Sequence, residues 1–498
     1  MKILIVGGGS AGWMTATTLQ SQFPNYSISL IESPNIKTVG VGESTLGQIQ
    51  DWLRIVGIKY QDFLTKVDGS IKLSIKFTDF YKKGQSFHYP FGLAAIADNE
   101  GGANDWWVKK IINPNVSLSD YADCIYPYQM AYTNQNKFDP LDKAIQFAYH
   151  FDATKFGLWL RDCYCTKVKH IKEEIKTIEQ DENGIVSLNN KYKADLYIDC
   201  TGFRSLLLGK TLNVPFESYN DLLPNDSAIA TRIPYKDKTK ELVPYTNCTA
   251  IENGWVWNIP SWQRIGTGYV YSSKFVDDDT ALTELQNHLG TKEFDYNKIK
   301  MRVGIHKELW VKNVVAIGLS SGFIEPLESN GLFSVHEFLL SLVRNLQRGK
   351  FSQIDRDSFN YHCKTIFKDF AEFVALHYAL SHRQDTEYWK ANFNKKWLEI
   401  CSSNSNYMDL IYRKNFLRNF NNVHENGIHC IAAGCNFAPQ DLIGIAKHDN
   451  RNKEELFKKF EEITNRLEIK KTSCNEVVKK KQNLIDFLTK LYNDKNTG

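Results

Sequence analysis

Gly7, Gly9 and Gly12 are spaced G-x-G-x-x-G directly behind the apolar run "KILIV", and Glu32 follows the last of them by twenty residues. This layout suits dinucleotide binding. Glycines let the backbone approach a pyrophosphate, the start of the next helix favours its negative charge, and the carboxylate accepts hydrogen bonds from ribose hydroxyls. A second feature has a different chemistry. In "GWVWNIP", residues 254–260, Trp255 and Trp257 stand one residue apart ahead of Pro260, so a strand here turns both indoles to one face. Two of the chain's 11 tryptophans placed this way form either sheet core or a flat apolar wall beside a ligand.

Both features need a frame. The first forty residues read strand, glycine turn, helix and strand, the start of a βαβ unit. Within "ADLYIDCTGFRS" (194–205) an apolar strand ends in an acid and a Thr-Gly turn. This resembles the second nucleotide-side element of flavoprotein monooxygenases and points to FAD over NAD. Residues 93–150, with "NDWWVKK" inside, read as an irregular aromatic insertion over a site, and "FDATKFGLWLRDCYC" (151–165) as a helix. A tight turn is expected at Glu182-Asn183-Gly184. From about residue 335 apolar residues recur three or four apart and predict helices. The last is a Lys/Glu-rich solvated helix from Glu454 with apolar spacing at Leu456, Phe460, Ile463 and Leu467.

Composition narrows the class. At 498 residues, 42% hydrophobic and 24% charged, the chain is long enough for a large core and has ordinary globular composition. Its 61 basic and 57 acidic residues nearly balance, which gives no case for nucleic acid or an anionic membrane as partner. No signal-peptide or membrane-spanning run is visible, so a cytoplasmic location is expected. The ten cysteines lack metal-ligand spacing and read as free thiols, and no metal is implied.

With these elements in hand, the sequence resembles the flavin-dependent halogenases, specifically the tryptophan halogenase family, over nearly its whole length. The motifs are "GGGSAGW" (7–13), "GVGEST" (40–45), "SIKLSIKF" (70–77), "FHYPFG" (87–92), "DCTGFRS" (199–205), "GWVWNIP" (254–260), "GLSSGFIEPLESNG" (318–331) and "HYALSHRQDTEYW" (377–389). The resemblance implies an α/β (α+β) fold: a Rossmann-like FAD box of the flavoprotein monooxygenase type and a mainly helical substrate-binding pyramid. The box is expected over 1–340, with the substrate-side insertion near 86–150, and the helical part over 341–498. A separate flavin reductase is implied to supply reduced FAD. Dioxygen then gives a flavin hydroperoxide, halide turns it into hypohalous acid, and a lysine guides that oxidant to an electron-rich, indole-like ring. Gly7, Gly9, Ser10, Ala11, Gly12, Glu32 and Gly318 are implied to hold FAD, and Gly42, Glu43, Ser44 and Thr45 to strap it.

Lys72 matches the family's catalytic lysine, with Lys76 as competitor, and Glu328 matches its essential glutamate, with Glu325 as competitor. Hypohalous acid is indiscriminate in water, so a site needs one polar group to hold or carry the halogen and a carboxylate to remove the ring proton. After that glutamate this chain reads Ser329-Asn330-Gly331 where the family usually reads Ser-Thr-Gly. Halide is expected on a backbone anion nest at Asn330 and Gly331, with a preference for bromide or iodide over chloride. Trp255, Trp257 and Pro260 are implied to separate flavin from substrate. His88, Pro90, Phe91 and Trp106 are candidates for the substrate chamber, while Arg383 and Asp385 read as a structural ion pair. Two rivals stand beside this reading: an aromatic monooxygenase and a non-catalytic flavin-binding relic. A homo-oligomer is the usual expectation for a soluble enzyme.

Overall fold

The computed structural model describes residues 1–36, 42–92, 103–349, 351–393, 425–437 and 453–496. A six-stranded sheet carries the N-terminal motif. Its order is Trp310–Val311, Val314–Ala316, Leu196–Asp199, Lys2–Val6, Ser27–Glu32 and Lys169–Lys172, all parallel except the first pair. "KILIV" is apolar on both faces because it is a central parallel strand with helices or loops over each side. The helix Ser10–Gln22 follows at once and is buried from Gly12 to Leu19. Its buried Thr15, Thr17 and Thr18 hydroxyls donate to carbonyls one turn back, at 2.7–2.8 Å, so they cost the core no unpaired donor.

A seven-stranded sheet holds the tryptophan pair. Its order is Tyr296–Lys300, Ser227–Ile233, Ile265–Tyr271, Gly254–Pro260, Tyr245–Ala250, Ser74–Thr78 and Ser86–Pro90. A three-stranded sheet joins Gly42–Ser44, Ala148–Asp152 and Ser70–Lys72. The chain changes from this sheet to the larger one at Leu73, whose N–H donates to Pro244 O at 2.7 Å and whose carbonyl accepts from Phe91 N at 2.9 Å. Lys72 is therefore the last residue of one sheet at the seam with another.

The expected turn closes the hairpin of Ile178–Asp181 and Gly184–Leu188, and the helix expected over 151–165 runs Ala153–Tyr164. Helices dominate the C-terminal third, led by Gly331–Leu346 and Gln353–Ala379. The second opens with a capping box, Ser352 and Asp355 bonding each other's backbone. Position 341 falls inside the first of these helices, and residues from Ile3 to Leu488 share one apolar core. The tail helix Lys453–Lys479 lies on the helices Ala103–Ile112 and Pro127–Asn134, tied by Arg466 to Asp105 at 2.9 Å and Lys109 to Glu468 at 2.5 Å.

The reading of 93–150 as irregular is corrected. From residue 103 it forms the helices Ala103–Ile112, Asp120–Ile125 and Pro127–Asn134, then the strand Ala148–Asp152. The adjacent Trp106 and Trp107 hid the helical period because partners enclose both: Trp106 donates to Asp120 at 2.9 Å, and Trp107 to His429 of the helix Glu425–Gly434 at 3.0 Å. Among the described residues every cysteine is free, and no helix is long and apolar enough to cross a membrane.

Gly268 pairs with Trp257 across the antiparallel strands Gly254–Pro260 and Ile265–Tyr271. A Cβ there would lie 2.3 Å from Trp257 Cη2 and 2.4 Å from Ile229 O, so the indole fills space that any side chain would take. Gly268→Ala is expected to cost about 1–3 kcal/mol through overpacking. Thermal unfolding checks this, and an unchanged midpoint would refute the close packing.

Candidate active site

One cavity of about 590 Å³ is lined by both sequence features: Gly7, Gly9, Ser10, Ala11 and Glu32 on the nucleotide side, Trp255 and Trp257 from the large sheet. Its size falls within the roughly 300–1,000 Å³ typical of cofactor and ligand sites. The glycine turn is built for close approach. A Cβ on Gly12 would sit 1.9 Å from Gly7 O, and Gly8 faces Glu32 so closely that a Cβ would sit 1.6 Å from Oε2. Glu32 Oε1 lies 2.7 Å from His170 Nε2, which orients the carboxylate at the end of its strand. Gly318 adopts φ +76° beside Ala11 and lines the same cavity. These residues fit the phosphates and ribose of a dinucleotide, and the indole wall fits a flat ring.

Asp199 does something the sequence did not suggest. Its Oδ1 accepts from Thr201 N and Oγ1 at 3.0 and 2.7 Å, and its Oδ2 from Leu207 N and Leu208 N at 2.7 and 2.9 Å. The acid folds the Thr-Gly turn so that Thr201, Gly202 and Phe203 line the cavity. Of the strap motif, Gly40, Val41 and the Glu43 side chain lie outside the described residues. Gly42–Ser44 forms a strand, and Ser44 and Thr45 are buried.

Trp255 and Trp257 stand with ring centroids 6.2 Å apart, inclined by 61°. Trp255 is anchored as well as packed: its indole N–H donates to Glu325 Oε2 at 2.8 Å. The same oxygen accepts from Asn225 Nδ2 at 2.7 Å and Tyr378 OH at 2.8 Å. Glu325 is thus engaged with the wall, while Glu328 points elsewhere. Pro260 is buried at the end of the tryptophan strand, and its carbonyl accepts from Ser70 Oγ.

Lys72 is wholly buried. Its Nζ donates to Thr45 O at 3.1 Å and Ser329 Oγ at 2.8 Å, and lies 5.0 Å from the Phe91 ring centroid. Burial pulls its pKa down to about 7 against the opposing pull of Glu328 and Cys248. Lys76, by contrast, is half-buried one strand on, 5.8 Å from the Tyr245 ring. Glu328 is also wholly buried, and burial raises its pKa although His377 and Lys72 oppose this. Its Oε1 lies 2.8 Å from His377 Nε2, near the end of Gln353–Ala379. His377 Nδ1 lies 3.1 Å from both Phe373 O and Val374 O, so Nδ1 carries a proton.

Ser329 takes φ +59°, Asn330 follows at φ −80°, and Gly331–Leu346 begins there. This left-then-right-handed pair aims successive N–H groups one way, as in an anion nest, at the positive end of a 16-residue helix. Asn330 and Gly331 line the cavity, and the buried Asn330 Oδ1 has no hydrogen-bond partner among the described residues.

The chamber candidates divide. Phe91 and Pro90 are buried on the Lys72 side of the seam. His88 Nδ1 contacts Ser74 Oγ at 3.0 Å, and burial with nearby Lys76 pushes its pKa down to about 3, so its ring is neutral. Trp106 packs on Trp107 and Tyr121 and shares the Asp120 carboxylate with Lys109; none of the four candidates lines the cavity of the glycine turn. Arg383 and Asp385 form the ion pair, with two contacts at 2.9 and 2.8 Å. Sequence reasoning missed His377, His150, Thr246 and Cys248. His377 stood inside a quoted motif; the other three carry no local signal.

A family model described as tryptophan halogenase matches residues 2–449. Tryptophan 6-halogenase SttH from Streptomyces toxytricini is 35% identical over 78% of this chain and 80% of its own length. Tryptophan 7-halogenase RebH from Lentzea aerocolonigenes is 32% identical over 88% and 90%. Among solved structures, apo VirX1 superposes with TM-score 0.89 at 36% identity, covering 98% of each chain. Xcc4156, a flavin-dependent halogenase from Xanthomonas campestris, superposes with TM-score 0.87 at 26% identity, also covering 98% of each. The chain therefore belongs to the tryptophan halogenase family and is a flavin-dependent halogenase.

Proposed function

We propose that the chain binds reduced FAD through Gly7, Gly9, Ser10, Ala11, Gly12, Glu32 and Gly318, and uses Lys72 and Glu328 to halogenate an electron-rich, indole-like aromatic. These residues would hold reduced flavin, whose reaction with dioxygen and halide would furnish hypohalous acid there. A separate flavin reductase provides the electrons. One observation carries the reading: Lys72 does not line the cavity of the glycine turn, yet its Nζ bonds Ser329, which does. An oxidant made in the cavity meets Lys72 by passing that hydroxyl, while Trp255 and Trp257 keep a ring-sized substrate from following the reverse path.

At a pKa of about 7 both forms of Lys72 are populated near neutral pH. The ammonium donates a hydrogen bond to the hypohalous oxygen. As the ring carbon takes the halogen, the O–X bond breaks and the oxygen leaves as water with a proton from Lys72. The neutral amine instead forms a haloamine and water; as the halogen then passes to the ring, the nitrogen takes a proton from the Glu328 acid and the amine is restored. In both, the arene cation gives its proton to the Glu328 carboxylate, which His377 orients. Halide rests on the N–H groups at Asn330 and Gly331. There an amide replaces a hydroxyl donor, which favours the more easily oxidised bromide and iodide.

Lys72→Ala is expected to retain FAD binding and hypohalous acid formation but to lose at least about a hundredfold in halogenated product. Mass spectrometry with FAD, a flavin reductase, NADH, indole and bromide reads this, and unchanged product would remove Lys72 from the mechanism. Hydroxylated indole formed without halide would instead favour a monooxygenase. At equal concentrations, bromide and iodide should outpace chloride; a clear chloride preference would refute the role given to Asn330.

The lowered pKa of Lys72 also sets a pH dependence of stability. Below about 7 the folded and unfolded chains both hold this proton, and burying the charge weighs fully against the fold. Between that value and the unfolded lysine's pKa, about 10.4, only the unfolded chain holds it, so stability climbs with pH. Lys72→Met should remove this contribution and raise the thermal midpoint most at or below neutral pH. A midpoint difference between variant and wild type that stays constant with pH would contradict the burial of an ionisable lysine.

A further inference from the structure

Ser329, which holds Lys72, is the end of a longer chain of buried polar groups. Ser329 Oγ lies 3.2 Å from Ser44 Oγ, Ser44 Oγ 2.9 Å from Thr246 Oγ1, and Thr246 Oγ1 2.9 Å from His150 Nε2. His150 Nδ1 then lies 3.2 Å from Pro260 O, the last residue of the tryptophan strand. The links are set by the register of two sheets. Ser44 and Ser70 each pair with His150 in the small sheet, and Thr246 belongs to the large one.

The direction of this chain follows from its far end. Ser70 Oγ, 3.4 Å from the same nitrogen, already gives its proton to Pro260 O, and a backbone carbonyl can only accept, so both partners of His150 Nδ1 are acceptors and Nδ1 must carry a proton. Burial and the Lys72 charge keep the ring neutral, which leaves Nε2 bare and able only to accept. Thr246 therefore donates to His150 and accepts from Ser44. Ser44, having donated, accepts from Ser329, and Ser329 accepts from Lys72. Each hydroxyl has one proton, so one carbonyl decides the orientation of all three. At the other end, Thr45 O takes a second Lys72 N–H. The third position of Nζ has no hydrogen bond among the described residues and faces the Phe91 side.

We infer that His150 and Thr246 are positioning residues for Lys72: with Ser44 they make a hydrogen-bond chain of fixed direction that holds Ser329 as an acceptor and reserves the third position of Nζ for the oxidant. The inference rests on the reading of Lys72 as the group that meets the oxidant. Without the chain, the Ser329 hydroxyl can turn and donate to a neutral Lys72 amine. That would favour deprotonation and occupy the lone pair that captures halogen. The ionisable groups facing Lys72 are Glu328 from the 326–328 turn, Cys248 from the strand Tyr245–Ala250 and His150 from Ala148–Asp152. None of them is changed by substituting Thr246.

The test follows Lys72 itself, without turnover. Protein labelled with ¹³C at lysine Cε is titrated by NMR, and the Lys72 resonance is assigned by its loss in Lys72→Met. Thr246→Val should lower the Lys72 midpoint by about half a pH unit or more, the scale of one rearranged hydrogen bond. Thr246→Ser, which keeps the hydroxyl, should leave it in place. The pH profile of brominated indole should move with the resonance in Thr246→Val. Should that variant not fold, Ser44→Ala cuts the chain one link nearer to Lys72 and should lower the midpoint likewise. A Lys72 midpoint unmoved by Thr246→Val or Ser44→Ala, or moved equally by Thr246→Ser, would overturn the inference. Absence of brominated product in wild type, with the titration as expected, would instead count against the proposed reaction on indole and leave the chain standing.

Discussion

A lysine nitrogen removed from water constrains everything built around it. Lys72 has no exposure, and its charge is supported by one carbonyl, one hydroxyl and the nearby Glu328. Those supports come from residue 45 and from residues 328–329, far from each other and from Lys72 in sequence, so only a fixed tertiary arrangement can bring them together. Burying an incompletely compensated charge works against folding. The opposing term is apolar: among the described residues seven tryptophan and eight tyrosine side chains are essentially inaccessible, and burying a large side chain contributes about 1.5–3 kcal/mol.

The loop from Glu325 to Gly331 concentrates this arrangement. Within seven residues it supplies the anchor of Trp255, the acid beside His377, the acceptor for Lys72 and the start of a long helix. The left-handed Ser329 makes it possible. Its φ of +59° turns the chain sharply between Glu328, buried beside His377, and Asn330, which lines the cavity. A non-glycine residue held there costs about 1–3 kcal/mol, and such strain persists only where surrounding contacts over-determine it. Here Lys72 and Ser44 hold its side chain.

What the sequence made legible were features in which one local stretch carries the whole constraint. The G-x-G-x-x-G turn needs its glycines because Gly7 O and Cys200 O leave no room for a Cβ. The tryptophan pair shares a face because strands alternate. Lys72 and Glu328 emerged from family resemblance; the structure buries both, leaves Lys76 half-buried and ties Glu325 to Trp255, differences that no local spacing could show. His150, Thr246 and His377 stayed hidden because each gains its meaning from a group that lies 49 or more residues away in the chain. The helices over 103–134 were missed for a related reason. Their aromatic residues face helices on more than one side, including 425–434 and 453–479, so the amphipathic stripe that marks a surface helix is absent.

Glu325 has a consequence of a mechanical kind. Its Oε2 fastens the tryptophan strand through Trp255, and the long helix through Tyr378, to the loop that carries Glu328. Tyr378 is next to His377, the partner of Glu328, so the wall and the acid hang from one joint. On the proposed reading of Trp255, Trp257 and Glu328, loosening of this joint would displace the indoles and the acceptor of the ring proton together, so barrier and chemistry would fail in one event.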